Sequence, residues 1–287
     1  MKHIDRKKYA ADGILLLVAL LWGSGFIAQK NAADEMSALC FNGIRYSIGA
    51  VFIFFLAKCR LPFRDANGKT ALLAGLVLTA AAALQQIGFA DTSITNTSFI
   101  TATYIVFVPF LSGLIFHKKV SRSCYIAALL ILVGLFLLST AGKGLDHITR
   151  GDVIVFAGSI FWALHIIVVE KGTSEGDPVR FSAGQFLVSG VLQLLLWLTI
   201  GKHDTTGLAN NTFGVLYSGI IVLGLAFTLQ AIGQKYTGGA VASIILGLES
   251  VFGTLCGVIF YHETLEPLQI AGAVLIFAAV LLAVREG

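Results

Sequence analysis

What this chain lacks first of all is charge. Only 13% of its 287 residues are charged, about half the share of an ordinary soluble domain. By contrast 56% are hydrophobic and the mean hydropathy is +0.85. Such a chain has no means of covering its apolar surface in water, which excludes a soluble fold. Paired cysteines are missing as well. Cys40, Cys59, Cys124 and Cys256 are scattered without disulfide or metal-type spacing, so they read as small apolar filler within helices. Equally absent are H-E-x-x-H, a P-loop and any plausible Ser/His or Asp/Asp constellation. Their absence argues against an intramembrane enzyme and against direct use of ATP. No catalytic residue, metal site or cofactor is expected.

What the chain has is long apolar runs. A segment crossing a hydrocarbon core of about 30 Å needs about 20 residues, and ten such runs can be read: Ala11–Gln29, Ser37–Ala57, Thr70–Ala90, Thr95–Phe116, Cys124–Thr140, Asp152–Val169, Phe181–Ile200, Thr212–Gln234, Gly238–Phe260 and Leu265–Val284. The expected fold is an all-α membrane protein of ten transmembrane helices. Connections are short and leave no room for a soluble domain. The basic start, with Lys2, Arg6, Lys7 and Lys8 before Ile14–Trp22, resembles a secretory signal. However, the apolar run continues to about Ala28 without a convincing cleavage site, and a near-copy recurs mid-chain. It is therefore read as helix one.

The formal charge of +4 by itself is compatible with a nucleic-acid partner, but its distribution suggests a bilayer instead. With the N-terminus inside, the inside segments hold fifteen Lys and Arg: Lys2, Arg6, Lys7, Lys8; Lys58, Arg60, Arg64, Lys69; Lys118, Lys119, Arg122; Lys171, Arg180; Lys235; and Arg285. The outside segments hold four, Lys30, Lys143, Arg150 and Lys202. The positive-inside rule then puts both termini in the cytoplasm, at a cytoplasmic (inner) membrane.

The two halves are related. Leu21-Trp22 matches Phe161-Trp162 and Asp12 matches Asp152 at an offset of 140. Phe41-x-x-x-Arg45 sits opposite Phe181-x-x-x-Gln185 at the same offset. Leu84-Gln85-x-Ile87-Gly88 matches Leu229-Gln230-x-Ile232-Gly233, and Thr92 matches Thr237, at 145; Gly113–Phe116 matches Gly257–Phe260 at 144. Ordered matches in four successive helix pairs indicate a repeat, residues 11–141 and 151–286. Because five is odd, the second five-helix unit must insert upside down. Inverted repeats of this 5+5 kind are an architecture of alternating-access transporters, with substrate bound near the midplane.

Polar residues inside the spans are costly and call for a reason. Arg45 lies roughly 12 Å below the outer surface by helix rise, where burial costs about 2.5–3.5 kcal/mol on the insertion scale. Glu249, the one carboxylate in the middle of a span, lies roughly 17 Å deep. The two charges face either each other, as a structural ion pair, or a shared polar cavity. Around them stand Trp22, Asn42, Tyr46, Gln85, Gln86, Asn96, Tyr104, Trp162, His165, Gln185 and Gln230. Trp22 and Trp162 fall toward the interior rather than the membrane interface, as cavity walls or as packing. The Gln pairs read as inter-helix hydrogen bonds or as part of the site. The substrate-binding candidates are Trp22, Asn42, Arg45, Tyr46, Gln85, Tyr104, Trp162, His165, Gln230 and Glu249. Glu249 and His165 are also candidates for proton coupling.

Several backbone features fit moving parts. Ser243-x-x-x-Gly247 and Gly253-x-x-x-Gly257 allow helix nine a close approach. Trp22-Gly23-Ser24-Gly25 weakens helix one, and Pro109 deprives the Ile105 carbonyl of its donor and should kink helix four.

The chain resembles the EamA family of the drug/metabolite transporter superfamily from about Asp12 to Val284. The residues that carry this are Leu21–Ser24, Phe41–Tyr46, Gln85–Gly88, Val106–Pro109, Phe161–His165, Leu248–Phe252 and Gln269–Ala273. Ser250 departs from the pattern where many relatives have Pro, and Lys119 where the first repeat often has Glu. The resemblance implies a 5+5 inverted-repeat carrier of metabolites, often an amino-acid or drug exporter, with a central cavity lined by both halves. The expected function is therefore secondary transport of a small molecule, amino-acid-like or another polar or cationic metabolite, with no nucleic acid involved. A facilitative pore or uniporter is the alternative, separable by counterflow, since carriers saturate and show trans-stimulation.

The topology has a direct test in single-cysteine labelling of intact cells with an impermeant reagent. A cysteine replacing Lys143 should react and one replacing Lys119 should not, and the opposite result sinks the orientation.

Overall fold

In hydrocarbon the backbone must satisfy its own hydrogen bonds, and a helix does so within one segment. The computed structural model describes residues 6–60, 63, 67–92, 94–117, 119–141, 148–174, 176–203, 205–262 and 264–286. Lys143, together with Lys2, Arg64 and Lys118 of the charge comparison, lies outside the described residues. The helices are α1 (Arg6–Glu35), α2 (Ala38–Leu56), α3 (Gly68–Gly88), α4 (Ile94–Thr101), α5 (Tyr104–Phe116), α6 (Arg122–Thr140) and α7 (Arg150–Ser174). They continue with α8 (Pro178–Ile200), α9 (Thr212–Tyr217), a π-helical stretch Ser218–Leu225, α10 (Ala226–Gln234), α11 (Gly239–Leu246), α12 (Glu249–Tyr261) and α13 (Pro267–Glu286). Among the described residues, ten helical spans are long and apolar enough to cross a membrane. Each overlaps one of the ten runs read from the sequence. The first span is longer than expected: α1 is a single helix of 30 residues.

The helix starts follow local chemistry. The hydroxyls of Ser37 and Ser121 accept from the amides of Cys40 and Cys124, and the Asp177 carboxylate accepts from Val179 and Arg180, with Pro178 at the first helical position. These are side-chain caps for amides that have no partner within the helix. Two spans are broken near their centres. The α-helix of the fourth is interrupted at Ala102–Thr103, between α4 and α5, and that of the ninth at Gly247–Leu248, between α11 and α12. Pro109, where a kink is expected, lies inside α5, and the helix interruption of this span falls before it. The Gly23–Gly25 stretch does not break α1. Gly23 is instead a notch, where a Cβ would stand 2.5 Å from the Glu249 carbonyl oxygen and 2.7 Å from the Gly253 amide. Gly247 is a second notch: a Cβ there would come within 2.3 Å of Ile105. Close approach of backbones, rather than flexibility, is what these glycines supply.

The two halves interdigitate. α2 lies along α8, α3 along α7 and α8, and α6 along α13, while α1 packs on α10 and α12 and α7 packs on α3 and α5. Positions matched in the sequence make matching contacts. Thr237 Oγ1 donates to Asp12 at 2.7 Å, and Thr92 Oγ1 donates to Asp152. Gly233 packs on Ala11 and Leu15, and Gly88 on Gly151 and Val155. Tyr46 and Phe186, 140 positions apart, stack on each other with ring centroids 5.6 Å apart.

The α6–α13 crossing tests the packing. A Cβ on Gly134 would lie 2.7 Å from Ile276 Cγ1 and 2.8 Å from the Gly272 carbonyl oxygen, which cannot yield, whereas Gly13 has nothing within 4 Å. Gly134→Ala should cost about 1–3 kcal/mol through overpacking, while Gly13→Ala, free of any contact, should be neutral or stabilising. Thermal unfolding in detergent reads both, and equal behaviour of the two variants would contradict this crossing.

Candidate functional site

The interleaved helices leave a cavity at the centre of the bundle. It is lined by Trp22, Phe26 and Gln29 of α1, Arg45 and Tyr46 of α2, Gln85 of α3, Thr101 of α4, Tyr104 of α5, and Trp162, His165 and Ile166 of α7. Val222 and Leu223 of the π stretch, Phe227 and Gln230 of α10 and Glu249 of α12 complete it. Nine of the ten substrate-binding candidates thus meet in one space. Asn42 does not line it. Asn42 stands behind Arg45, donating to the Ala82 carbonyl at 3.0 Å and accepting from Arg45 Nε at 2.9 Å. The cavity volume is about 50 Å³, room for about four waters.

Arg45 and Glu249 both line this space, 3% and 5% exposed, yet they form no ion pair with each other. Arg45 is held by Asn42, and its guanidinium lies 4.6 Å from the Phe41 ring centroid and 5.4 Å from that of Tyr46. No carboxylate among the described residues is within ion-pair distance of it. Glu249 accepts from the Tyr104 hydroxyl at 3.1 Å. The span breaks explain that bond. Tyr104 is the first residue of α5 and Glu249 the first of α12, so each break delivers its next residue to the centre and the two residues join. A helix N-terminus also favours a carboxylate by its partial positive charge.

The rest of the lining is aromatic and amide. Phe227 is its hub, with ring centroids 4.7 Å from Trp22, 6.1 Å from Trp162, 5.8 Å from His165 and 5.3 Å from Phe186. His165 Nε2 stands 2.9 Å from Gln185 Oε1. Donation to that oxygen leaves Nδ1 as a bare acceptor. Gln85 donates to Thr101 at 3.1 Å, and Gln230 donates to Gln234 at 2.8 Å. Gln86 and Asn96 sit elsewhere: Gln86 donates to the Gln29 carbonyl and Asn96 to Asp152. Four lining side chains keep a buried polar atom without a protein partner, namely Trp22 Nε1, Trp162 Nε1, His165 Nδ1 and Gln230 Oε1. Each unsatisfied buried group costs about 1–3 kcal/mol, and these four face one space. Among the described residues no group of three or more His, Cys, Asp or Glu stands together to hold a metal.

Sequence reasoning missed Phe26, Gln29, Thr101, Ile166, Val222, Leu223 and Phe227. Gln29 and Thr101 carried a signal as polar residues near helices already singled out. Phe227 carried none, because Ala82 stands at its matched position.

Ten helices long and apolar enough to cross a membrane, packed around a central cavity, define a multi-pass membrane protein. The model of the EamA-like transporter family matches residues 10–140 and again residues 149–285, and the chain belongs to that family. It is 31% identical over 280 residues to an uncharacterized transporter of Archaeoglobus fulgidus, covering 96% of this chain and 86% of that one. It is 27% identical over 290 residues to a Salmonella typhimurium protein named "Probable amino-acid metabolite efflux pump", covering 93% and 92% of the two chains. A solved crystal structure that is 16% identical superposes over 96% of each chain with a TM-score of 0.82, a likeness of fold alone.

The Tyr104–Glu249 bond should appear as a coupling energy. Tyr104→Phe, Glu249→Gln and the double variant, unfolded thermally in detergent, should be non-additive by about 0.5–3 kcal/mol. Additivity within about 0.3 kcal/mol would mean that the two residues do not bond.

Proposed function

We propose that this chain is a secondary carrier of small polar metabolites at the cytoplasmic membrane, working by alternating access between two inverted five-helix repeats, with both termini cytoplasmic. The observation that carries the reading is the pair of opposite charges, Arg45 and Glu249, which share one central cavity without neutralising each other. A buried ion pair kept only for structure would be closed on itself; here each charge is held by a neutral partner and remains available to a ligand.

The repeat reading is supported by the reciprocal contacts. Asp12–Thr237 and Thr92–Asp152, the two glycine notches Gly88 and Gly233, and the stacked mates Tyr46 and Phe186 are what a two-fold axis in the membrane plane would generate. Broken helices whose ends meet at the centre are a recurrent construction of transporters with inverted repeats. The family match over both halves and the efflux pump among the similar proteins favour a transporter of amino-acid-like compounds.

A zwitterion fits the chemistry of the lining. Its carboxylate would meet the Arg45 guanidinium, its ammonium group would meet Glu249, and Trp22, Tyr104 and Trp162 would cover its apolar part. The indole N–H groups, His165 Nδ1 and Gln230 Oε1 offer further donors and acceptors. Because the cavity volume is small, binding a metabolite requires the helices to part, the motion that alternating access provides. Glu249, released from Tyr104, could also exchange a proton for substrate, and His165 is the second candidate for that role.

Purified protein screened with amino acids by thermal stabilisation should reveal the ligand, since a ligand at 100 times its dissociation constant adds about 2.7 kcal/mol. Counterflow in proteoliposomes should then saturate and show trans-stimulation. Glu249→Gln should stay folded and lose transport or its pH dependence, and the double variant Arg45→Gln, Glu249→Gln should stay inactive. A double variant with normal uptake and normal pH dependence would remove these two residues from the site.

A further inference from the structure

A second cavity, of about 330 Å³, opens where α7 and α10 end. Ile167, Glu170, Lys171 and Ser174 of α7 line it, together with Gln234 and the connection Lys235–Gly238. Its relation to the central cavity is close. Gln230 faces the central cavity and Gln234, one turn later, faces the second; Ile166 and Ile167 divide in the same way. The wall between is a chain of two hydrogen bonds. Gln230 Nε2 donates to Gln234 Oε1 at 2.8 Å, and Gln234 Nε2 donates to the Ile166 carbonyl at 2.9 Å. Both amides are buried, 0% and 2% exposed. Neither bond is part of a helix backbone, and both can be exchanged for bonds to a polar solute without unwinding anything.

We propose that the second cavity is the vestibule through which solute reaches the central cavity from the α7–α10 end, and that Gln234 is the gate between them. The proposal rests on the carrier reading of the central cavity. It assigns Gln234 a role that its position outside the central lining does not suggest. A solute leaving the vestibule offers its own polar groups to the Gln230 and Gln234 amides as they part, and Gln230 Oε1, which has no protein partner, is the first acceptor it meets. The vestibule lining includes the charged and polar side chains of Glu170, Lys171, Ser174 and Tyr236, which offer a hydrated zwitterion partners on its way in. Phe89, which matches Gln234 at the offset of 145, is a buried aromatic residue, so the first half has no side-chain amide at the corresponding position.

The test reads access, not transport. In a variant with Cys40, Cys59, Cys124 and Cys256 replaced, Thr101→Cys places a reporter thiol on the central cavity. Its reaction with a small charged methanethiosulfonate reagent is timed separately from each face of the membrane in oriented vesicles. Gln234→Ala should raise the rate at least tenfold from the face carrying the α7–α10 end and leave the other face unchanged. Gln234→Met, which keeps the length and loses both hydrogen bonds, should act in the same direction and covers the case in which the alanine variant does not fold. Ser174→Trp, filling the vestibule at its rim, should abolish the rise. An unchanged rate in both Gln234 variants, an equal rise from both faces, or a rise that survives Ser174→Trp each overturns the proposal. Because labelling needs no substrate, such a result leaves the carrier reading standing, whereas a failure of counterflow would leave the labelling result intact.

Discussion

A side chain that can form hydrogen bonds finds no partner among lipid tails, so in this bundle polar groups must turn inward and satisfy one another there. That constraint orders the rest of the structure. The outer faces carry residues such as Leu73, Phe110, Leu129 and Val274, exposed and apolar. The inner faces carry Asn42, Arg45, Gln85, His165, Gln185, Gln230 and Glu249, all buried. Nearly every one of these polar side chains bonds to a residue on the same or a neighbouring helix. Four of the buried polar atoms left without a protein partner, on Trp22, Trp162, His165 and Gln230, line the central cavity, and others lie elsewhere in the bundle. The site is therefore the residue of the solubility problem: it lies where inward-turned polar groups outnumber the protein partners that can meet them.

Glycine makes that inward arrangement possible. The notches at Gly23 and Gly247 bring α1 and α5 against the break in the ninth span, and without them Glu249 would not reach the centre beside Tyr104. Packing and chemistry are thus coupled at one place. The glycine that admits the backbone of α12 belongs to the same turn of α1 as Trp22, which walls the cavity. A larger residue at Gly23 would push against the backbone of Glu249 and Gly253 and the side chain of Phe252 together.

The ten spans were legible because hydrophobic length is a one-dimensional property, and the repeat was legible because its matches keep order and spacing. The polar half of the site was legible for a related reason: a polar residue in a span is rare enough to be counted. The breaks at Ala102–Thr103 and Gly247–Leu248 were not. No proline marks them, the charge of Glu249 beside the second reads as a site residue and not as a helix end, and Gly247 reads as a packing residue until Ile105 is seen against it. Pro109 shows the converse, a strong local signal that does not fall at the break. The aromatic hub was invisible for a third reason. Phe227, Val222 and Leu223 are ordinary membrane residues, and only the arrangement of α1, α7 and α10 turns them toward a cavity instead of a neighbour.

The departures from repeat symmetry are where the function has room to be directional. Matched pairs such as Trp22 and Trp162, or Gln85 and Gln230, put equivalent side chains on the cavity from both halves. Arg45 faces no second arginine, because Gln185 at the matched position is spent on His165, and Glu249 faces no second carboxylate, because Ile105 lies at its matched position. The site therefore carries one positive and one negative group, with a histidine on one side only. On the carrier reading proposed above, a symmetric scaffold would have two equivalent ways to open. An asymmetric lining makes the energies of those two openings differ for any solute that binds, and for a carrier that difference separates an exporter from an importer.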